Sequence, residues 1–238
     1  MFEKFKNALG FGAETKSRNT VSSSYDALAE QANVKTVSNW ASLQGWNYSK
    51  RSDGRGGYQL EGKVGQKIWR MEQGKPSRDF IKGCELRGRA ELDIRDDVAV
   101  LIMNRHLKND LEKRAYAQYT DSIQTIADPN MPEEMRWLSI YEEVGWEGLG
   151  DPFLNNYAIL ANDRDTAMLW LDQEIVDALL SWPEFDPASP KILMLLRGKA
   201  YLRMQYSQDD MPTLEHAVNV FTSTCIQAQA SFAMDLSL

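Results

Sequence analysis

The spacing of apolar residues changes after Gly45, and this change constrains the fold more than any other feature of the sequence. From Tyr58 to Val64, apolar or small residues alternate with polar and charged ones. A longer alternating run extends from Phe80 to Leu92, with charged side chains between small or apolar ones. A period of two is typical of strands that bury one face and expose the other to water. The sequence therefore predicts an antiparallel sheet in this part of the chain.

Further strands are indicated in the second half of the chain. The apolar run Val98–Asn104 fits either a buried strand or the first turns of a helix. Tyr157–Ala161 has the length and composition of a strand. The segments Lys191–Leu196 and Ala200–Tyr206 predict a hairpin around Arg197, Gly198 and Lys199.

Five segments have the spacing of amphipathic helices, with apolar residues three or four positions apart. Their boundaries follow from Pro, Gly and capping residues. They are Tyr25–Leu43, Leu107–Ile126, Glu133–Val144, a segment capped by Asp163 or Asp165 that buries Met168, Leu171, Ile175, Leu179 and Trp182, and a last helix from about Pro212. Asp128, Pro129, Asn130 and Pro132 are expected to end the second of these helices.

This order of elements lacks the regular strand–helix alternation of a doubly wound fold. It predicts an α+β fold, with an antiparallel or mixed sheet and several amphipathic helices packed on one face. We expect a flexible segment over 1–24, a net basic part over 25–128 and an acidic part over 129–238. Both parts run through strands into an amphipathic helix, so two similar halves are an alternative that the sequence leaves open.

Charge is divided unevenly along the 238 residues, whose net charge is −7. Residues 1–114 carry 21 basic and 15 acidic residues, a balance of +6, whereas residues 115–238 carry 6 and 19, a balance of −13. Two interpretations are open. The two halves attract each other across an internal interface, or the first half binds an anionic partner.

The cellular setting follows from the cysteines and the hydropathy. Cys84 and Cys225 are far apart and belong to no CxxC pair, and the first residues lack the apolar core of a secretory signal. No segment approaches the roughly 18 unbroken apolar residues of a transmembrane helix. We expect a soluble cytoplasmic protein without a transmembrane segment.

No recognised catalytic or metal-binding motif occurs. His106 and His216 are the two histidines, and neither belongs to a clustered ligand pattern. Asp163 and Asp165 are better explained as helix caps than as metal ligands. The glycines between Ser52 and Gly57 are not followed by the Lys and hydroxyl residue of a phosphate-binding loop. The sequence therefore assigns no catalytic residue, metal or cofactor.

The strongest candidate for recognition is a cationic strip from Trp46 to Arg89. Arginine together with tryptophan is enriched at binding hot spots. The candidate binding residues are Trp69, Arg70, Lys75, Arg78, Arg87 and Arg89. Two alternatives concern this strip: its charges form the solvated face of a sheet with oppositely charged cross-strand pairs, and Trp69 is a core residue that shares a face with Met71.

These features favour a non-catalytic protein-interaction or adaptor module that uses a cationic sheet surface. Its partner would be another protein or a second copy of the chain. An enzyme of unrecognised type is the main alternative, and a binder of a small anionic ligand is another. The sequence pI of about 5.0 and the absence of recognised nucleic-acid motifs argue against nucleic acid as the partner.

Overall fold

The computed structural model of the chain describes residues 35–51, 56–121 and 133–233. The predicted segment 1–24, the first part of the predicted helix Tyr25–Leu43 and the predicted helix end at Asp128–Pro132 lie outside the described residues. The chain divides into two compact units, Met1–Gly45 and Trp46–Leu238. In the first unit, residues 35–43 form helix α1.

The second unit contains one sheet of nine strands in which every pairing is antiparallel. The strands are β1 (Asn47–Lys50), β2 (Tyr58–Val64), β3 (Lys67–Gly74), β4 (Cys84–Glu91), β5 (Ala99–Asn104), β6 (Glu142–Val144), β7 (Tyr157–Ala161), β8 (Lys191–Leu196) and β9 (Lys199–Tyr206). Their order across the sheet is β1-β2-β3-β4-β9-β8-β5-β7-β6. The predicted antiparallel sheet and α+β class are confirmed.

The pairing of β4 with β9 joins segments that are far apart in the sequence. The two strands pair over their full length, from Cys84 opposite Tyr206 to Glu91 opposite Lys199. Strands from before and after residue 128 thus belong to the same sheet, so the two parts predicted on either side of that residue share it. The proposed similarity of two halves stays a prediction.

The segments in which apolar and polar residues alternate form strands that bury their apolar side. In β4, Leu86, Gly88 and Ala90 are buried while Arg87 and Arg89 between them are more exposed. The ambiguous run Val98–Asn104 contributes β5, in which all six residues are buried. A strand that is buried on both sides has no polar face. The spacing of its apolar residues therefore could not distinguish a strand from a helix.

Seven helices are described when α1 is included. The remaining six are α2 (Arg105–Asp121), α3 (Glu133–Ile140), α4 (Gly150–Asn156), α5 (Arg164–Trp170), α6 (Gln173–Leu180) and α7 (Met211–Phe232), and a short 3₁₀ helix spans Glu147–Leu149. The predicted helix Glu133–Val144 is too long, because its last three residues form the edge strand β6. No helix in the described part of the chain is both long and apolar enough to cross a membrane.

The prediction that the helices pack on one face of the sheet is wrong. Leu101, Met103, Ile192 and Met194 form a core cluster with Leu107 and Leu111 of α2 and Trp137 of α3. On the other face, Phe221 of α7 lies against Gly88 and Leu202. Leu202 is opposite Leu193, which is opposite Ile102, and Ile102 points away from its neighbours Leu101 and Met103. Helices therefore cover both faces, and α2 and α3 lie over the part of the sheet that includes β5 and β8.

Candidate functional site

Four arginines point to the same side of three adjacent strands, and we call them the arginine face: Arg70 of β3, Arg87 and Arg89 of β4, and Arg203 of β9. The register places Arg70 directly opposite Arg89, and Arg87 directly opposite Arg203. Like charges in directly opposite cross-strand positions destabilise a sheet unless other groups compensate them. The central feature of this face is therefore two pairs of arginines in directly opposite cross-strand positions.

Carboxylates from the same part of the chain compensate the arginine face in part. The nearest nitrogen-to-oxygen distances are 2.5 Å for Arg70 to Glu61, 2.8 Å for Arg89 to Glu91 and 3.1 Å for Arg87 to Glu72. Hydrogen bonds from Arg89 and Lys199 lower the pKa of the Glu91 carboxyl. The side chains of Arg70 and Arg89 are nevertheless 58% and 56% exposed, so most of their donors face solvent.

A groove of about 720 Å³ runs over this face. Its lining includes the four arginines and Lys67 but only two acidic residues, Glu72 and Glu91. Ile68, Met194 and Tyr201 supply the apolar part of the lining, and Ile68 is half exposed. The groove thus combines a surplus of positive charge with apolar wall, in a protein whose net charge is −7.

A buried ionic network borders the groove and joins β4, β9 and α3. Glu85 accepts hydrogen bonds from the backbone and hydroxyl of Ser77 and lies 3.2 Å from Nε of Arg203. Glu134 pairs with Nε of Arg78, and its Oε1 lies 3.5 Å from Nη1 of Arg203. Both carboxylates are fully buried. The network fixes α3 against the sheet.

Two buried guanidinium nitrogens at this end of the face form no hydrogen bond, although one of them lies 3.5 Å from the Glu134 carboxylate as an ion pair. Nε of Arg87 and Nη1 of Arg203 are buried and have no hydrogen-bond partner among the described residues. Burial, followed by the neighbouring Arg78, lowers the pKa of the Arg203 guanidinium, although Glu85 and Glu134 oppose that effect. An unpaired N–H of a buried guanidinium is costly. This part of the face has more donors than the protein satisfies.

The structure separates the six candidate residues into different environments. Arg70, Arg87 and Arg89 lie together on the arginine face. Trp69 points to the opposite face, is 1% exposed and packs edge-on against Trp46 at 4.9 Å between ring centroids. Lys75 is exposed just after β3, and Arg78 is held by Glu133 and Glu134. Trp69 therefore offers no surface to a partner, in keeping with its interpretation as a core residue.

Arg203 is the member of this face that the sequence reasoning missed. Tyr201, Arg203 and Gln205 alternate with more buried residues along β9, and the same alternation is visible in the sequence, so Arg203 itself could have been chosen. Nothing local indicates that β9 pairs with β4, which lies more than a hundred residues earlier. Arg203 could be assigned to the arginine face only with knowledge of the strand order.

The residues considered for catalysis do not converge. His106 is largely exposed beside Asp110, whereas His216 contacts the carbonyl of Ala178 and lies on a different helix. Asp163 accepts hydrogen bonds from the backbone of Asp165 and Thr166, which is the geometry of an N-cap. Within the described ranges, no three His, Cys, Asp or Glu side chains are placed to hold a metal ion.

Comparison with known proteins supports the fold alone. No protein-family model matches the chain, and no curated protein sequence is significantly similar to it. The crystal structure of the mycobacterial trehalose monomycolate transport factor A, TtfA, is similar with a TM-score of 0.50. The two sequences are 9% identical over a match that covers 85% of this chain and 97% of that one. Because the sequence identity is so low, the similarity to TtfA shows a shared fold alone.

Proposed function

We propose that this chain is a non-catalytic protein-interaction module whose arginine face binds an acidic segment of a partner protein. The observation that carries the proposal is the direct opposition of Arg70 to Arg89, with both side chains more than half exposed. A guanidinium group presents parallel N–H donors, which a carboxylate accepts in pairs.

The internal carboxylates do not block this role. Exposed ion pairs contribute little to stability, typically about 0 to 1 kcal/mol, because both ions remain hydrated. Glu61 and Glu91 each engage a single nitrogen of Arg70 and Arg89, respectively. A partner carboxylate can therefore bind the remaining donors without first breaking a strong contact.

The groove also suits an acidic segment that carries an apolar side chain. Ile68 is 50% exposed next to the arginines, and Met194 and Tyr201 line the same groove. Interfaces that combine an apolar contact with charged neighbours gain both affinity and orientation. Free Cys84 and Cys225 are consistent with our expectation that this module works in a reducing compartment such as the cytoplasm.

The dimensions of the groove favour one alternative, a small anionic ligand. Its volume of about 720 Å³ lies within the range of about 300 to 1,000 Å³ that is usual for small-molecule sites. A single molecule with one or two carboxylate or phosphate groups would use the same arginines. Competition by such anions against a bound acidic peptide would identify this case.

The test is fluorescence anisotropy with a labelled peptide in which glutamates alternate with phenylalanines. We expect Arg70→Glu with Arg89→Glu to weaken binding by about tenfold or more, because attraction becomes repulsion at the centre of the site. The matched control is Arg95→Glu with Arg164→Glu, which changes the charge equally at residues that are 53% and 61% exposed and do not line the groove. Equal affinity of wild type and the Arg70/Arg89 variant, or an equal loss in the control, would contradict the proposal.

A further inference from the structure

A second surface of the molecule carries the opposite charge. Between residues 163 and 186 the chain has seven acidic residues and a single base, Arg164. The acidic residues lie on α5, α6 and the segments that flank them, and we call them the acidic surface: Asp163, Asp165, Asp172, Glu174, Asp177, Glu184 and Asp186. All except the half-buried Asp172 are exposed.

Among the described residues, two cations act on the acidic surface: Arg164, and Lys191 through its attraction to Asp186. Asp163 and Asp172 cap α5 and α6, and Asp186 accepts a hydrogen bond from the backbone of Ala188. Among the described residues, the ion pair of this surface is that of Arg164 with its neighbour Asp165 at 3.8 Å. Backbone hydrogen bonds satisfy oxygens without cancelling the negative charge. Most of the negative charge of this surface is therefore available to cationic side chains of another molecule.

The arginine face and the acidic surface lie on opposite sides of the sheet. Trp170 of α5 donates to the carbonyl of Thr224 in α7, and His216 of α7 contacts the carbonyl of Ala178 in α6. Helix α7 packs on the face that contains Leu202, whereas Tyr201 and Arg203 point to the other face. The sheet separates the two charged surfaces, so they cannot meet within one chain.

The two surfaces also match in their apolar content. Met168, Leu169 and Phe185 are 42%, 57% and 42% exposed on or beside the acidic surface. The groove offers Ile68, which is 50% exposed, beside its arginines. Large exposed apolar side chains that are bordered by charge are typical of protein interaction sites.

We infer that the acidic partner of the arginine face is a second copy of this chain, which docks head to tail through its acidic surface. This inference rests on the function proposed above and names its partner. Each copy has one surface of each kind, on opposite sides, so the contact is heterologous and leaves a free arginine face at one end and a free acidic surface at the other. Association then continues into longer assemblies unless the geometry closes a ring.

The experiment uses sedimentation velocity of the full chain at low ionic strength and two variants. The groove variant carries Arg70→Glu and Arg89→Glu. The acidic-surface variant carries Glu174→Gln, Asp177→Asn and Glu184→Gln, which leaves the capping residues Asp163 and Asp172 unchanged. We expect the mass of the wild type to rise with concentration and fall with added salt, while each variant alone stays monomeric.

Mixing the two variants in equal amounts gives the decisive result. The intact groove of one variant can bind the intact acidic surface of the other, but neither remaining surface can extend the assembly. We therefore expect a dimer that does not grow with concentration. Far-UV circular dichroism of each variant checks that both remain folded.

Three results would overturn the inference: a wild type of constant monomer mass, a variant that associates like the wild type, or a mixture that stays monomeric. Peptide binding separates this failure from that of the proposed function. A monomeric wild type that still binds the acidic peptide through Arg70 and Arg89 would leave the interaction module intact with a different partner. Loss of both readouts would reject both.

Discussion

Glu134 shows how strongly single residues are constrained in this fold. Its side chain is 1% exposed, yet its carboxylate serves two guanidinium groups, those of Arg78 and Arg203. Burying a carboxylate is costly unless charged donors surround it, and the sequence alone gives no sign of which arginines do so. The same holds for Glu85, which alternation predicted to lie on the wet face and which is fully buried.

We predict that Glu134→Gln lowers the free energy of unfolding by about 3 kcal/mol, because it leaves Arg78 and Arg203 without a shared counter-charge. Glu133→Gln is the matched control. Glu133 pairs with the same Arg78 but is 47% exposed, so we expect a change below about 0.5 kcal/mol. Urea denaturation of both variants measures the difference. Similar values for the two would show that burial of the network contributes nothing.

Gly62 is required where two tryptophans meet on the sheet. A Cβ at this position would lie 2.5 Å from Cζ2 of Trp69 and 2.8 Å from Cδ1 of Trp46. Both rings are packed against each other, so neither can move without losing contact.

Gly62→Ala should therefore destabilise the protein by about 1 to 3 kcal/mol through overpacking. Gly145→Ala is the control, because a Cβ there would meet only Leu154 at 3.7 Å, an ordinary contact. Thermal denaturation of both variants, monitored by far-UV circular dichroism, measures the difference. An unchanged melting temperature for Gly62→Ala would show that the rings have room to shift.

At the scale of elements, the segment from Asp163 to Trp182 differs most from its prediction. A single amphipathic helix was expected, but Leu171 leaves helical geometry and Asp172 caps a second helix through the backbone of Ile175. Met168, expected in the core, is 42% exposed because the first helix buries Thr166, Ala167 and Trp170 instead. The apolar spacing was compatible with both arrangements, and the N-cap preference of Asp172 was the overlooked signal.

The contact between α6 and α7 should make stability depend on pH. Nε2 of His216 lies 2.8 Å from the carbonyl oxygen of Ala178, and the ring packs edge-on against Trp182 at 4.6 Å. Burial lowers the pKa of His216, although the contact with Ala178 opposes this effect. The ammonium of Lys191 lies 5.4 Å from the centroid of the same Trp182 ring.

Because the unfolded chain binds this proton more readily than the folded one, stability should fall as the pH drops below about 6.5. We expect urea midpoints of the wild type to decrease between neutral pH and the folded-state pKa of His216. His216→Gln should flatten that decrease, whereas His106→Gln, at an exposed position, should leave it in place. A wild-type slope that survives in His216→Gln would assign the effect to other groups.

At the scale of the whole molecule, local patterns predicted most elements but not their arrangement. The alternation of Tyr58–Val64 and the hairpin of β8 and β9 were readable, because each depends on neighbouring residues. The pairing of β4 with β9 and the placement of α2 and α3 on the second face depend on long-range packing. The arginine face could therefore be predicted in part, as Arg70, Arg87 and Arg89, but its fourth member and its facing pairs could not.

The strand order also predicts how the Trp46–Leu238 unit unfolds. Strands β8 and β9 lie between β4 and β5, so in the sheet as described the early and middle strands are joined by strands that come late in the chain. The network of Arg78, Glu134 and Arg203 adds a second link between early and late residues. Neither part can complete its hydrogen bonding alone, because β4 and β5 would each expose an unpaired edge.

We therefore expect a single cooperative transition for this unit, with coincident denaturation curves from far-UV circular dichroism and tryptophan fluorescence. A chain that ends at Pro190 lacks β8, β9 and α7, and it should show no cooperative transition. The full chain measured under identical conditions is the reference. Two separated transitions, or cooperative unfolding of the shortened chain, would contradict this expectation. Either result would mean that β1 to β4 form a stable body without β9. The late strands would then be an addition to the fold rather than its centre.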